Sequence, residues 1–178
     1  GTSDGGTAAV FAGDLVHAHR AAVEKADQLY ATEIPDDLDI AVLNAYPKDT
    51  EFMQCGNAFN LWADTNNNLI RPGGTFVIVS AASEGRGTHF LSEPGMRLYS
   101  KVDRFPLNAA KIQDRSVVIF SPKVSRMDVD DFFSGSPPFF NTWESTVAYL
   151  EEHYGAGTRV GVFPCAGMQI AYRKGKKL

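Results

Sequence analysis

Residues 39–45 read Asp-Ile-Ala-Val-Leu-Asn-Ala, and residues 46–49 read Tyr-Pro-Lys-Asp. Consecutive apolar residues, without alternation, are typical of a strand that is buried on both faces. Such strands occur in parallel sheets that helices cover on both sides. The proline ends the strand, so residues 46–49 are expected to form the loop at its carboxyl end.

Strand and helix patterns alternate outward from this run. Further strands are predicted at 75–81, 117–120 and 159–163, and a fifth at 168–172. This alternation favours an α/β fold: a three-layer sandwich with a mostly parallel sheet of about five strands and helices on both faces. Because only four residues separate the last two strands, the final strand is expected to be an antiparallel edge.

Four helices are predicted from apolar spacing and capping residues. The first begins at the N-cap Asp14 and runs to about Tyr30, with a buried stripe. Asp49 is expected to cap the second, which ends before a turn at 71–74. A short helix is predicted at 128–133, followed by an irregular loop at 134–140, and Asn141 with Glu144 predicts a capping box. Mixed helical pieces are expected at 90–112. The stripe of the first helix comprises Leu15, Val16, Ala22, Val23, Ala26, Leu29 and Tyr30; core residues of the second are Phe52, Cys55, Phe59 and Trp62.

Length, charge and cysteine content narrow the class of protein. The 178 residues, 44% of them hydrophobic, fit one domain, which we assign to 10–178 after a linker or a non-native remnant at 1–9. The net charge of −4 gives no basic surface for nucleic acid. No apolar run is long enough to cross a membrane, and Cys55 and Cys165 form no redox or zinc motif. We therefore expect a soluble cytoplasmic protein with two buried, reduced thiols.

Two loops after predicted strands contain candidate site residues. The first contains Asn44, Tyr46, Lys48 and Asp49. Ligands of open parallel sheets bind beyond the carboxyl ends of the strands, and a following helix would direct its free N–H groups there. Lys48 adds a positive charge, so this loop suits a carboxylate or a phosphate. The alternative is that Lys48 is a solvated surface residue beside a helix cap.

The second loop, residues 83–89, is rich in glycine and contains Glu84, Arg86 and His89. These side chains could act as acid, base or anion-binding groups, but the glycine spacing matches no nucleotide-binding fingerprint. The alternative is a tight turn whose polar side chains lie at the surface and have no functional role. His17 and His19 are expected at the surface, because residues two apart on a helix face different sides. The sequence offers no complete catalytic set and no metal site.

Several of these stretches resemble the C-terminal domain of the nickel-dependent lactate racemase family. The resemblance lies in residues 10–22, in Tyr-Pro-Lys-Asp at 46–49 with Phe52 and Gln54, and in residues 71–75 with Glu-Gly-Arg-Gly at 84–87. It extends to about Pro122, and beyond that only the order of elements agrees. Residues 105–111 depart from the pattern of relatives, which often have a tryptophan or a histidine–lysine pair there.

The resemblance implies a two-domain parent protein that racemises or epimerises 2-hydroxy acids by removing and returning a hydride. An N-terminal domain, absent from this chain, would carry the nickel-pincer nucleotide and the catalytic histidines. This chain would bind no cofactor by itself and would clamp the substrate, with Lys48 holding the carboxylate and with Tyr46 and Asp49 shaping the loop.

Two rival functions stay open at this point. One is a non-catalytic, Rossmann-like module that binds a small acid. The other is a nucleotide-binding enzyme of another class, which the missing glycine fingerprint disfavours.

Overall fold

The computed structural model describes residues 5–65, 68–88, 112 and 114–178. Its main sheet has five strands in the order β5-β4-β3-β2-β6, and every neighbouring pair is parallel. The predicted α/β class and parallel sheet are therefore confirmed. The strands are β2 (Leu38–Asn44), β3 (Ile70–Val79), β4 (Ser116–Phe120), β5 (Phe139–Phe140) and β6 (Val160–Phe163).

Helical elements cover both faces of this sheet. On one face lie a 3₁₀ helix (Phe52–Phe59), α2 (Asn60–Asp64) and α3 (Arg126–Phe132). Phe52, Cys55, Phe59 and Trp62 are all buried there, as predicted, and Trp62 packs edge-on against Phe76 of β3 at a centroid distance of 4.9 Å. On the other face α4 (Trp143–His153) contributes Leu150 to a smaller cluster with Ile40, Val42, Val77 and Val118.

A second sheet corrects the prediction for the last strand. β7 (Ile170–Arg173) does not join the main sheet as an antiparallel edge. It pairs in parallel with β1 (Ala31–Glu33) and antiparallel with β8 (Lys176–Lys177). The loop between β6 and β7 is indeed too short for a parallel crossover, but the chain leaves the sheet instead of turning back along it.

The first helix, α1 (Leu15–Tyr30), begins at the predicted cap: Asp14 accepts hydrogen bonds from the N–H groups of Val16 and His17. The predicted buried stripe is wrong, because no residue of α1 is buried and Leu15 is 83% exposed. Helical periodicity therefore predicted the helix correctly, but it did not predict how far its apolar face is buried. His17 and His19 are exposed, as expected.

Three local predictions are also wrong. Residues 71–74 do not form a turn but lie within β3, at an irregularity where Leu38 pairs with Ile70 and Ile40 with Thr75. The loop predicted at 134–140 ends in the short strand β5. Thr142, not Asn141, caps α4, since its side chain accepts from Ser145 N; the Asn141 amide instead donates to the carbonyls of Ser121 and Val124.

An ion pair secures the amino ends of the strands. Asp39 accepts from the backbone N–H of Arg159 at 2.7 Å and from the Arg71 side chain at 2.5 Å. These contacts lower the pKa of Asp39, the Arg159 hydrogen bond most and the Arg71 hydrogen bond next. The carboxylate thereby ties the β3 irregularity to the start of β6.

Candidate functional site

The carboxyl ends of the five parallel strands form one edge of the main sheet. Strands β3, β4 and β5 are added on one side of β2, and the chain then returns to place β6 on its other side. Such a reversal of strand order is the switch point of a doubly wound sheet, where ligands commonly bind. Here the switch point lies between β2 and β6, and the loops after these two strands are joined where Ala166 N donates to the Asn44 carbonyl at 3.0 Å.

The loop after β2 turns sharply at the strand end. Tyr46 N donates to the Asn44 side chain at 3.2 Å, and Lys48 N donates to the Ala45 carbonyl at 2.8 Å. The peptide bond between Tyr46 and Pro47 is cis. Asn44 and Tyr46 are half-buried and Lys48 is exposed. The turn thus presents Lys48 at the sheet edge, and Lys48 forms no ion pair with any residue that the structure describes.

Asp49 does not cap the following helix, contrary to the prediction. The helix begins three residues later, with Glu51 at the N-cap and no side-chain cap hydrogen bond. The Asp49 carbonyl accepts from Ala82 N at 2.7 Å, and its carboxylate accepts from Ala81 N at 3.4 Å. Asp49 therefore ties the loop after β2 to the chain leaving β3.

The start of the 3₁₀ helix is not available to an anion, which corrects a second part of the prediction. Phe52 N donates to the Gly85 carbonyl at 3.0 Å, and Met53 N donates to the Arg86 carbonyl at 3.2 Å. The glycine-rich loop itself thus satisfies the N–H groups that an anion would need. An anion at this edge could not use these two N–H groups, whereas the charge of Lys48 is exposed.

The second predicted loop is close to the first but contributes less. Glu84 is exposed, and its N–H donates to the Thr50 carbonyl at 3.0 Å. Arg86 pairs with Asp131 of α3 at 2.8 Å, so its charge is already compensated. His89, and the helical pieces predicted after it, lie outside the described residues except for Ile112. The backbone joins the two loops, but it does not make Arg86 a second free cation.

Cys165, in the loop after β6, lies near Asp49 of the loop after β2, and the sequence did not predict this proximity. Partial burial raises the pKa of its thiol, and the nearby charge of Asp49 raises it further. Cys165 is only half-buried, whereas the predicted burial of Cys55 is confirmed. The strand order could have identified Cys165, but only once β6 was known to lie beside β2.

Two other features bear on the kind of site. Within the described residues, no group of three or more His, Cys, Asp or Glu side chains could hold a metal ion. In the same part of the chain, no helix is both long and apolar enough to cross a bilayer.

These features define a parallel α/β domain that presents an exposed lysine, Lys48, at the carboxyl edge of its sheet. The fold is similar to that of the lactate racemase apoprotein from Thermoanaerobacterium thermosaccharolyticum, with a TM-score of 0.57 and 14% sequence identity. The match covers 88% of this chain and 40% of that one. No protein-family model matches the sequence, and no curated protein matches it at a significant level. At this identity the comparison establishes the fold.

Proposed function

We propose that this chain is the substrate-clamping domain of a 2-hydroxy acid racemase or epimerase of the lactate racemase type. The observation that carries the proposal is the position of Lys48, which is exposed in the loop after β2, beside the switch point of the sheet. The fold likeness to a lactate racemase apoprotein supports it. So do the Tyr-Pro-Lys-Asp and Glu-Gly-Arg-Gly stretches, which lie on the two loops joined at this edge.

In this proposal the Lys48 ammonium binds the carboxylate of the 2-hydroxy acid. A charge-assisted contact of this kind contributes about 1.5–3 kcal/mol. The tight turn at Asn44 and Tyr46 holds the loop at the strand end, and Asp49 anchors it to the β3 side. Lys48 therefore approaches the substrate from a positioned backbone, which lowers the cost of ordering the site.

The chemistry at the 2-carbon belongs to a partner domain in this proposal. The described residues of this chain do not fit a nickel centre, because they contain no metal-binding cluster. The nickel-pincer nucleotide and the histidines that move the proton are therefore assigned to the N-terminal domain of the parent protein. This chain binds, orients and encloses the substrate.

Lys48→Ala tests the role of this domain. We expect the complete, cofactor-loaded protein to isomerise a 2-hydroxy acid, as measured by chiral chromatography. We expect the Lys48→Ala variant of that protein to have a roughly 10- to 100-fold lower kcat/KM. Lys176→Ala removes an exposed lysine from the second sheet and should have no effect. Unchanged turnover in Lys48→Ala would refute the assignment of Lys48, and inactivity of the complete protein toward a panel of 2-hydroxy acids would refute the racemase.

The alternative is a binding module without chemistry, and the occupied helix N-terminus favours it. With Phe52 and Met53 N–H groups bonded to the glycine-rich loop, the described edge offers a cation for binding but little for stabilising a developing charge. Calorimetric titration of the 178-residue chain with 2-hydroxy acids separates the two. Tight, Lys48-dependent binding without any partner domain favours the module, and negligible binding favours the clamp.

A further inference from the structure

Two buried serines at the carboxyl edge of the sheet have no role in the proposed function. Ser80 follows β3 and Ser121 follows β4, and both are 0% exposed. Neither hydroxyl has a hydrogen-bond partner among the residues that the structure describes. A buried hydroxyl without a partner costs folding free energy, and buried polar groups in native proteins are nearly always satisfied. Two such groups side by side therefore need an explanation.

The strand register makes the two serines neighbours. Val79 pairs with Phe120, and the ladder continues because Ser80 N donates to the Phe120 carbonyl at 3.1 Å. Extending the register by one residue places Ser80 opposite Ser121. Neighbouring strands are about 4.8 Å apart, so the two side chains start from backbone positions separated by roughly this distance.

Both side chains are directed to the same face. Ile78 and Ile119 belong to the larger core cluster, beneath the 3₁₀ helix. Side chains alternate between the two faces along a strand, so Ser80 and Ser121, each two residues further on, point to the same face as these isoleucines. Ala45, which follows β2, lies beside Ser80 in the sheet, because Ala45 N donates to the Val79 carbonyl at 2.9 Å.

We propose that Ser80 and Ser121 hold one internal water molecule, bridged between their hydroxyl oxygens. Two hydrogen bonds of about 2.8 Å each span at most roughly 5.6 Å, which fits side chains on strands about 4.8 Å apart. A water inside a protein needs two to four polar partners, and the serines supply two. Two neutral hydroxyls would not compensate an anion for the loss of its hydration, so a neutral water molecule fits them better.

The bridge links the roots of two loops. Ser80 begins the segment that leads from β3 into the glycine-rich loop, and Ser121 begins the loop that leads to α3, whose Asp131 pairs with Arg86. The water thus joins at their base the same two segments that the ion pair joins at the surface. The inference is independent of any substrate.

Urea unfolding of the 178-residue chain tests the proposal through the sign and the additivity of the changes in midpoint that three variants cause. Ser80→Ala and Ser121→Ala should each lower the urea midpoint, because each leaves the water short of a partner. The double variant should lose less than the sum, because it releases the same water. Thr146→Val removes a buried hydroxyl that donates to the Thr142 carbonyl at 3.0 Å. Its change in midpoint shows how much stability is lost when a hydrogen-bonded buried hydroxyl is removed.

The opposite pattern overturns the inference. If the hydroxyls have no partner, each alanine variant raises the midpoint, and additive effects of either sign exclude a shared water. A crystal structure at high resolution provides a direct check that does not depend on variants folding. Density for a water within hydrogen-bond distance of both Oγ atoms supports the bridge, and its absence there refutes it.

Discussion

Alanine at Gly87 should destabilise the protein more than alanine at Gly85, although both glycines lie in the same loop with the same backbone conformation. Their φ angles are +73° and +69°. The left-handed region costs a residue with a Cβ about 1–2 kcal/mol, and both variants incur this cost. At Gly85 the new Cβ would meet nothing within 4 Å, but at Gly87 it would lie 2.5 Å from both Cβ and Cγ of Glu51.

The difference between the two variants therefore isolates a steric overlap. The atoms met at Gly87 are close to the Glu51 backbone, so rotating the side chain cannot remove the contact. Overpacking of this kind typically costs a further 1–3 kcal/mol. For a chain of this length roughly 1 kcal/mol corresponds to about 2–4 °C in Tm, so Gly85→Ala should lower Tm by about 2–8 °C and Gly87→Ala by roughly 2–12 °C more.

Thermal unfolding followed by circular dichroism, with urea unfolding as a second measure, checks both values. Equal losses in the two variants would show that Gly87 does not pack on Glu51 as described. The reasoning about how the glycine-rich loop covers the helix start would then be wrong. A larger loss at Gly87 assigns that glycine a packing role, distinct from close approach to a ligand.

Two further predictions follow from the pKa shifts. The hydrogen bonds from Arg159 N and from the Arg71 side chain lower the pKa of Asp39, so they stabilise the folded protein above the unfolded carboxyl pKa of about 3.9. This stabilisation is lost as the pH falls through the lower folded value. Asp39→Asn should therefore lower the urea midpoint at pH 7, and the difference from wild type should shrink in acid. A constant difference from pH 7 to pH 2 would contradict this. Asp49→Asn should speed alkylation of Cys165 by iodoacetamide at pH 8, because removing the negative charge lowers the thiol pKa and raises the thiolate fraction. Burial strongly raises the pKa of the Cys55 thiol, so Cys55 should stay unmodified in the folded protein and serves as the internal control. An unchanged alkylation rate at Cys165 would mean that Asp49 lies too far from the thiol to affect it.

The elements of this protein were largely predictable from local patterns. The apolar run at 39–45 predicted the buried strand β2, and the 3-4 spacing of Phe52, Cys55, Phe59 and Trp62 predicted the core face of the helical segment. These predictions succeeded because burial on both faces and helical periodicity leave direct marks on residue order. The exposed Lys48 after Pro47 was also predictable, since proline must end the strand there.

Other predictions failed where a residue had more than one possible partner. Aspartate is a common helix N-cap residue, yet Asp49 accepts hydrogen bonds from the chain leaving β3, and the helix starts at Phe52. Asn141 likewise bonds to the carbonyls after β4 while Thr142 caps α4. Side chains such as Asp and Asn satisfy local or distant backbone groups equally well. Sequence spacing therefore does not decide between these partners.

The sequence by itself determined the α/β class, the buried strands and the loop that presents Lys48, because these depend on interactions between residues close along the chain. Only the tertiary structure decided that β6 lies beside β2, that Cys165 lies near Asp49 and that β7 leaves the main sheet. It also decided that Arg86 pairs with Asp131 and that the glycine-rich loop occupies the helix start. The physical reason is that strand order and loop contacts depend on which distant surfaces pack together, and local residue order does not record that choice.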